Sequence, residues 1–267
     1  MLAGLSPARR RLVLTLLSLV VVGTVLIAVL VARTGSPAPE PVAQDRPGPV
    51  LLVPGYGGGG TGALRELADR LTAEGRDTTV VRLPGNGTGD LRASAGALDE
   101  AASEALERTG ETSVDVVGYS AGGVIARLWV ADGHAGITRR VLTLGSPHHG
   151  TSLADLAGAL APGRCPVGCR QLTTGSDVLS ALNGDDETPA GPTWVSIWTT
   201  QDETVTPPDS ARLDGAVNLT VQSVCPDAEV RHGELVRSPI VQAMVVTMLA
   251  AGNPAELGPA DCPRLSG

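Results

Sequence analysis

Phenylalanine and lysine are both absent from this chain of 267 residues, and aromatic side chains make up only 2% of it. All basic residues are therefore arginines, which are scattered along the sequence, and the net charge is −8 at pH 7. With no basic stripe and few aromatic side chains on which bases could stack, the composition argues against a nucleic-acid partner. Hydrophobic residues still make up 42% of the chain, so we expect a core of Val, Leu, Ile and Ala.

A long uncharged and mostly apolar run lies near the N-terminus, from Leu12 to Ala32, directly after Arg9–Arg11. As a helix it would be about 31 Å long, close to the thickness of a bilayer core. The positive-inside rule keeps such arginines in the cytoplasm. We therefore predict that residues 1–33 form a transmembrane signal anchor and that the rest of the chain lies outside the membrane. A cleaved signal peptide, with secretion of the remainder, is the alternative.

Residues 34–48 are rich in proline and polar side chains, which predicts an extended spacer. Residues 49–267 then alternate between short β-branched runs and helical runs, which predicts one α/β domain with a mostly parallel sheet flanked by helices. The predicted strands are Val50–Val53, Thr78–Leu83, Val114–Val117, Val141–Leu144, Trp194–Trp198 and Val217–Val221. Functional sites in such sheets lie at the carboxyl ends of the strands.

A G-x-S-x-G motif, Gly118 to Gly122, directly follows the third strand and directly precedes a helical run. In that context the motif predicts a sharp strand-to-helix turn that exposes the hydroxyl of Ser120. The helix N-terminus favours negative charge at this point. We therefore predict Ser120 as a nucleophile; a glycine-rich turn with an ordinary N-cap serine is the alternative.

A serine nucleophile needs a base, and the chain has 4 histidines. Only His232 follows the last predicted strand, as the order Ser, acid, His requires. We therefore predict His232 as the base. For His148 and His149 we expect a role in ordering the loop near the pocket, and for His134 a solvated position.

The acid should follow a strand that lies between these two residues in the chain. Asp202 follows the Trp194–Trp198 strand at a distance from which it can hold the imidazole in one tautomer. Glu203 and Asp209 lie on the same loop and are the alternatives. Asp202 completes the predicted triad.

An oxyanion created by attack of the serine needs two backbone N–H donors. Ala121, directly after the nucleophile, should supply one. The glycine-rich loop after the first strand, Pro54 to Gly60, should supply the other through the N–H of Tyr56, with Gly57 as the alternative. No motif in the chain calls for a cofactor or a metal.

The chain has 4 cysteines, all on the predicted outer side of the membrane: Cys165, Cys169, Cys225 and Cys262. An even number in an oxidising compartment predicts two disulfides, for which three connectivities exist. The simplest pairs Cys165 with Cys169 and Cys225 with Cys262. A metal site at the C-x3-C segment is a weak alternative, because no histidine lies near it.

Several motifs occur together in one order: PGYGG, GYSAGG, TLGSPHHGT, the CPVGC segment followed by GSDVLSALN, and QDETVTP. Taken together they resemble secreted actinobacterial lipases and esterases, and in particular the small bacterial triacylglycerol lipases with a minimal α/β-hydrolase fold. The resemblance covers about Val50 to Cys262. Pro54 is a departure, since many lipases carry histidine before the oxyanion glycine.

The resemblance implies hydrolysis of carboxylic esters or lipids through an acyl-enzyme, with Ser120, Asp202 and His232 as triad and Tyr56 and Ala121 as oxyanion donors. It also supports the simplest disulfide pairing. An acyltransferase or thioesterase with the same triad is an alternative function, and a non-catalytic surface-binding protein on the same scaffold is a more distant one. The insertion from Ser152 to Thr193 is the place for a lid or a wall of the acyl pocket.

Overall fold

The computed structural model describes residues 7–34, 42–58 and 61–266. The chain separates into two units, residues 1–38 and 39–267. The first contains one long helix, α1 (Pro7–Thr34). Hydroxyls of Thr15 and Ser18 donate to the carbonyl oxygens four residues earlier in this helix.

The predicted membrane span, Leu12 to Ala32, lies on α1, and some of its side chains fall outside the described residues. Within the part of the chain that the structure describes, no helix is both long enough and apolar enough to cross a membrane. The structure therefore does not support the predicted transmembrane helix, or a membrane partner held through it. The location of the protein stays a prediction.

The second unit is built on a six-stranded sheet in which every neighbouring pair is parallel, with the strand order β2-β1-β3-β4-β5-β6. The strands are β1 (Val50–Val53), β2 (Thr78–Val80), β3 (Val114–Tyr119), β4 (Thr138–Leu144), β5 (Thr193–Trp198) and β6 (Val217–Thr220). The predicted parallel α/β architecture is confirmed. All six predicted strands are present, with ends that differ by a few residues.

Helices cover both faces of the sheet, because alternate strand residues point to opposite faces. Leu51 and Val53 belong to one buried cluster, together with side chains of α3 and α4. Val50 and Leu52 belong to the other, together with side chains of α2 and α9. The helices of this unit are α2 (Arg65–Ala73), α3 (Leu91–Thr109), α4 (Ala121–Trp129), α5 (Ser152–Leu160), α6 (Val167–Gln171), α7 (Asp177–Asn183), α8 (Val221–Val224), α9 (Pro239–Met248) and α10 (Cys262–Ser266).

Strand β4 begins three residues earlier than the sequence predicted, and two of the added residues are fully buried arginines, Arg139 and Arg140. Arg139 forms an ion pair with the buried carboxylate of Asp115 and donates to the carbonyl oxygen of Leu249. Arg140 donates to the carbonyl oxygen of Met248, the last residue of α9, and to those of Ala250 and Gly252 after it. These contacts satisfy charges that would otherwise be costly to bury.

The predicted spacer, residues 34–48, lies in part outside the described residues. Its last part, residues 42–48, packs against the sheet: Gln44 donates to the carbonyl oxygen of Arg139 and accepts from the guanidinium of Arg140. Gly48 is buried, and its carbonyl oxygen accepts from Arg76. This part of the segment is therefore a fixed component of the domain.

Both predicted disulfides are present. Cys165 is bonded to Cys169, and Cys225 is bonded to Cys262. The first lies within the insertion between β4 and β5, which contains α5, α6 and α7. The second joins the segment after α8 to the start of α10, and so fixes the C-terminal part of the described chain.

Candidate active site

Ser120 lies between the end of β3 and the start of α4, in the sharp turn that the G-x-S-x-G motif predicts. Its backbone has φ 53° and ψ −126°, and among the described residues it is the only residue other than glycine with positive φ. A side chain at Gly122 would collide with the carbonyl oxygen of Val53, and one at Gly118 would collide with the backbone of Gly123. The motif glycines thus permit the close crossing that exposes the Ser120 hydroxyl.

Three side chains meet at the carboxyl edge of the sheet. Nε2 of His232 lies 3.1 Å from Oγ of Ser120, and Nδ1 of His232 lies 2.7 Å from Oδ2 of Asp202. With Nδ1–H donating to the carboxylate, Nε2 is left as the acceptor for the serine proton. The structure thus brings the three residues of the predicted triad into one hydrogen-bonded chain.

Asp202 is buried, whereas Glu203 and Asp209 on the same loop are exposed. The second oxygen of Asp202, Oδ1, accepts the backbone N–H groups of Thr204 and Val205 at 2.9 and 2.8 Å. These two bonds orient the carboxylate toward His232. Neither of the two alternative acids is within hydrogen-bond distance of that histidine in the described structure.

The glycine-rich loop after β1 passes next to the serine. A side chain at Gly55 would lie 2.9 Å from Cβ of Ser120. The N–H of Gly57 already donates to the carbonyl oxygen of Gly87 at 3.1 Å, which removes it as a free donor. No acceptor for the N–H of Tyr56 or of Ala121 is found within the described residues, and these are the two predicted oxyanion donors.

Two residues near the triad were not found by sequence reasoning. The Tyr119 hydroxyl donates to the carbonyl oxygen of His232 at 3.2 Å, and burial, reinforced by the Asp202 carboxylate, raises the pKa of Tyr119 to about 12. Gly145 has φ +55°, and a side chain there would lie 3.2 Å from both Oδ2 of Asp202 and Nδ1 of His232. Gly145 belongs to the TLGSPHHGT motif, but its approach to Asp202 and His232 joins segments that are far apart in the sequence.

The other histidines lie apart from the serine. His148 is fully buried, with Nε2 3.1 Å from the Thr143 hydroxyl, and its carbonyl oxygen accepts from Asn183. His149 lies 2.7 Å from a carboxylate oxygen of Glu187. His134 was expected to be solvated, but it is only partly exposed, because its ring stacks on Trp129.

The family model described as alpha/beta hydrolase fold matches residues 48–165. The chain has the α/β-hydrolase fold. None of the curated protein sequences matches this chain. Solved structures are similar in fold: lipase B of Aspergillus fumigatus has a TM-score of 0.67 at 19% identity, with 86% of this chain and 59% of that lipase covered. This chain thus spans less than two thirds of that lipase.

Two further solved structures share the fold at low identity. The mature lipase BlEst2 of Bacillus licheniformis has a TM-score of 0.62 at 21% identity, with 81% of this chain and 96% of that lipase covered. An α/β-hydrolase enzyme from the sediment metagenome of the Mar Chica lagoon, Morocco, has a TM-score of 0.50 at 17% identity, with 73% and 86% covered. At these identities the likeness shows the fold.

In this α/β-hydrolase fold, a cavity of about 220 Å³ opens beside Ser120. Its walls are mostly apolar and include Pro147, Leu153, Ala154, Leu172 and Val205. Leu153 and Ala154 belong to α5 of the insertion, so the insertion forms one wall of the cavity. A narrow apolar cavity next to the serine hydroxyl suits a chain of methylene groups.

A second, larger depression of about 830 Å³ lies beside the loops that carry the acid and the histidine. Three glutamates and one arginine line it, Glu203, Glu229, Glu234 and Arg231, and Ser120 is not part of its wall. The surroundings of the triad are therefore asymmetric. The cavity beside Ser120 is mostly apolar, whereas the depression away from Ser120 is lined by charged and polar side chains.

Proposed function

We propose that this protein is a serine carboxylic ester hydrolase that forms an acyl-enzyme on Ser120. The observation that carries the proposal is the unbroken hydrogen-bonded chain from Ser120 through His232 to Asp202, at 3.1 and 2.7 Å. A hydroxyl next to an oriented imidazole base, at the mouth of an apolar cavity, has the parts that acyl transfer requires.

In the proposed reaction, His232 takes the proton of Ser120 while the oxygen of that serine forms a bond to the ester carbonyl carbon. The resulting imidazolium is stabilised by the Asp202 carboxylate. The carbon–oxygen bond to the alcohol then breaks, and His232 returns the proton to the leaving alkoxide. Water, deprotonated by the same histidine, releases the acid and restores the serine.

The tetrahedral intermediate carries a negative oxygen, for which we propose the N–H groups of Tyr56 and Ala121 as donors. Two observations support this assignment. Ala121 directly follows Ser120 in the chain and Tyr56 lines the same cavity as Ser120, and neither N–H group has an acceptor within the described ranges. Loss of one such donor typically costs about 10²- to 10³-fold in turnover.

The apolar cavity of about 220 Å³ supports an acyl or lipid-like ester as substrate, because an acyl chain can leave water there without losing hydrogen bonds. The two lipases among the fold relatives agree with this choice, but the proposal does not depend on them. The same triad also serves thioesterases and acyltransferases, which differ in the leaving group or the acceptor.

The deciding experiment is labelling by a fluorophosphonate probe, combined with turnover of p-nitrophenyl esters of increasing chain length. Ser120→Ala should remove both labelling and turnover while the melting temperature stays near that of the wild type. Retention of full activity in a folded Ser120→Ala protein would overturn the proposal.

A triglyceride emulsion, a thioester and an added alcohol acceptor extend the same assay. Faster cleavage of the thioester than of the matched oxygen ester would make the protein a thioesterase. Transfer to the alcohol in preference to water would make it an acyltransferase. A protein that takes no label and cleaves none of these substrates would be a binding protein on a hydrolase scaffold.

We further propose that the protein acts outside the cytoplasm. The two disulfides support this, because disulfides persist in oxidising compartments and are rare in the cytosol. Cell fractionation with non-reducing peptide mapping tests the proposal. Free thiols at the four cysteines of protein isolated from its native cells would contradict it.

A further inference from the structure

One charged side chain lines the apolar cavity beside Ser120. Among the cavity-lining residues in the described part of the chain, only Arg164 carries a formal charge. The remaining walls are apolar, hydroxyl or disulfide groups, such as Leu153, Thr151 and Cys169. A cation in the wall of such a cavity can pair with an anionic group of a ligand that fills it.

The guanidinium of Arg164 is available to a ligand. Within the ranges that the structure describes, it forms no ion pair and no side-chain hydrogen bond. Arg108 and Arg212 lie within 3.3 Å of a carboxylate, whereas Arg164, like the exposed Arg65 and Arg92, has no ion pair within the described ranges. In a chain with a net charge of −8, an arginine without a carboxylate partner beside the serine is a distinctive feature of the cavity.

The backbone that carries Arg164 is held in place. Its N–H donates to the carbonyl oxygen of Ala161 at 2.8 Å, and the next residue, Cys165, is buried and bonded to Cys169 on α6. Arg170 also donates to the carbonyl oxygen of Cys165 at 2.7 Å. A fixed backbone reduces the entropy that is lost when the guanidinium orders around a ligand.

The volume of the cavity gives the approximate size of the acyl group that it can hold. At about 30 Å³ for each group the size of a water molecule or a methylene, a volume of about 220 Å³ holds roughly seven such groups. An acyl chain of about six carbons attached to Ser120 would therefore occupy most of this cavity, which Arg164 also lines. Arginine recognises a carboxylate there with two parallel hydrogen bonds.

We propose that Arg164 selects acyl groups that end in a carboxylate, so that the preferred substrates are half-esters of dicarboxylic acids of about six to eight carbons. The proposal rests on the proposed ester hydrolase function and names its substrate class. The depression beside the acid and histidine loops is lined by three carboxylates and one arginine, Arg231, so it is less favourable to such an anion than the cavity that Arg164 lines.

The reaction consumes one water and yields the dicarboxylic acid and the alcohol. The carboxylate that Arg164 holds takes no part in bond making or breaking. Arg164 is thus a specificity residue, and its effect should appear in the comparison of two substrates rather than in the rate on one.

The test compares the mono-p-nitrophenyl ester of adipic acid with the same ester carrying a terminal carboxamide. These esters have the same shape and differ in one charge. The wild type should favour the carboxylate by roughly tenfold or more in kcat/KM, because hydrogen bonds to a charged group are stronger than those to a neutral amide. Arg164→Gln should reduce this ratio to about one, and Arg164→Lys should retain part of it.

Arg212→Gln is the matched control, because it removes the same charge from an exposed arginine that does not line the cavity. Its substrate ratio should equal that of the wild type. Turnover of p-nitrophenyl hexanoate, measured beside each variant, corrects for changes in general activity. An unchanged ratio in Arg164→Gln, or a wild-type ratio of one, would overturn the proposal.

A preference that appears only when the carboxylate is on the alcohol part of the ester would overturn the assignment to the acyl end. Binding gives a readout that needs no turnover: the Ser120→Ala variant should bind monomethyl adipate more tightly than methyl adipamate in calorimetry, and the further change Arg164→Gln should abolish the difference. If the wild type cleaves the hexanoate ester but shows no anion preference, this inference fails and the proposed function stands. If nothing is cleaved and Ser120 takes no label, the proposed function fails, and the binding comparison still decides the role of Arg164.

Discussion

Oδ2 of Asp202 lies 2.7 Å from Nδ1 of His232, while the other oxygen of the same carboxylate accepts two backbone N–H groups from its own loop. One oxygen thus holds the imidazole and the other holds the acid in place. Both residues are buried, with exposures of 6% and 5%, so little water competes for these hydrogen bonds. The pair is therefore an oriented base for the hydroxyl of Ser120.

The turn that carries Ser120 should not tolerate a side chain at Gly122. In Gly122→Ala the added methyl group meets the carbonyl oxygen of Val53 in the neighbouring strand, and no flexible side chain is there to move away. Overpacking of this kind costs about 1–3 kcal/mol or more, and it displaces the serine. We expect a lower free energy of unfolding in urea and at least a 100-fold loss of esterase turnover, since misplacement by about 1 Å can cost about 10²-fold.

Gly96→Ala is the control for that variant. Gly96 lies in α3, and a side chain there meets no atom within 4 Å. Alanine is favoured over glycine inside a helix by about 0.5–1 kcal/mol, so this variant should be slightly more stable and fully active. Equal behaviour of the two variants would refute the account of the turn.

The two disulfides should differ in how much they contribute to the free energy of unfolding. Cys225–Cys262 closes a separation of 37 residues and Cys165–Cys169 one of 4. By the chain-entropy relation, replacing both cysteines by serine should cost about 4 kcal/mol for the long bridge and about 2 kcal/mol for the short one. Urea unfolding of the two double variants measures this difference, and a larger loss for the short bridge would contradict it.

Sequence reasoning succeeded where the signal is local. The strand, turn and helix around Ser120 lie next to one another in the chain, and His232 was selected by its position after the last strand. It failed where partners are distant. Charged residues do not resemble a buried strand, so the sequence pattern does not predict Arg139 and Arg140 as part of β4; several of the carbonyl groups that satisfy them follow α9, over 100 residues later.

The residues that line the cavity could not be predicted either, because they are also far apart in the sequence. Arg164 and Leu153 approach Ser120 only when the insertion folds back over the carboxyl edge of the sheet. The short C-x3-C segment predicts a disulfide, which is present. It does not predict that this disulfide lies next to an arginine that lines the cavity beside Ser120. Residues brought together by such an insertion leave no periodic pattern in the sequence.

His148 should make the fold sensitive to acid. Burial, with a smaller contribution from Arg127 and His149, holds the pKa of His148 well below its usual value of 6.5. The folded protein therefore keeps this ring neutral, whereas the unfolded chain takes up a proton as the pH falls below about 6.5. The stability that depends on the neutral ring is present above that pH and is lost as the pH falls, by up to about 2 kcal/mol at pH 5.

Free energies of unfolding in urea at several values between pH 7.5 and 5 test this prediction. His148→Gln keeps an amide in reach of the Thr143 hydroxyl and cannot be protonated, so its stability should fall less steeply with pH than that of the wild type. His149→Gln, at a partly exposed position, is the matched control and should follow the wild type more closely. Parallel curves for the wild type and His148→Gln would show that this ring does not contribute.

The acid of the triad can be identified by three amide substitutions on one loop. Asp202→Asn keeps the shape of the side chain but presents an amide to His232, which then adopts the wrong tautomer, so turnover should fall by about 10⁴-fold. The side-chain oxygen that accepts the backbone N–H groups of Thr204 and Val205, Oδ1, is preserved, so the protein should still fold.

Glu203→Gln and Asp209→Asn remove the same charge from exposed positions, and each should cost less than about tenfold because exposed charges interact weakly through water. The measurement is kcat on one p-nitrophenyl ester, with the melting temperature of each variant as a check on folding. Fluorophosphonate labelling adds a second readout, since a serine without its oriented base should react more slowly in Asp202→Asn alone. If kcat is lost in Asp209→Asn but retained in Asp202→Asn, the acid of the triad is Asp209, and the loop must bend so as to bring Asp209 to the imidazole.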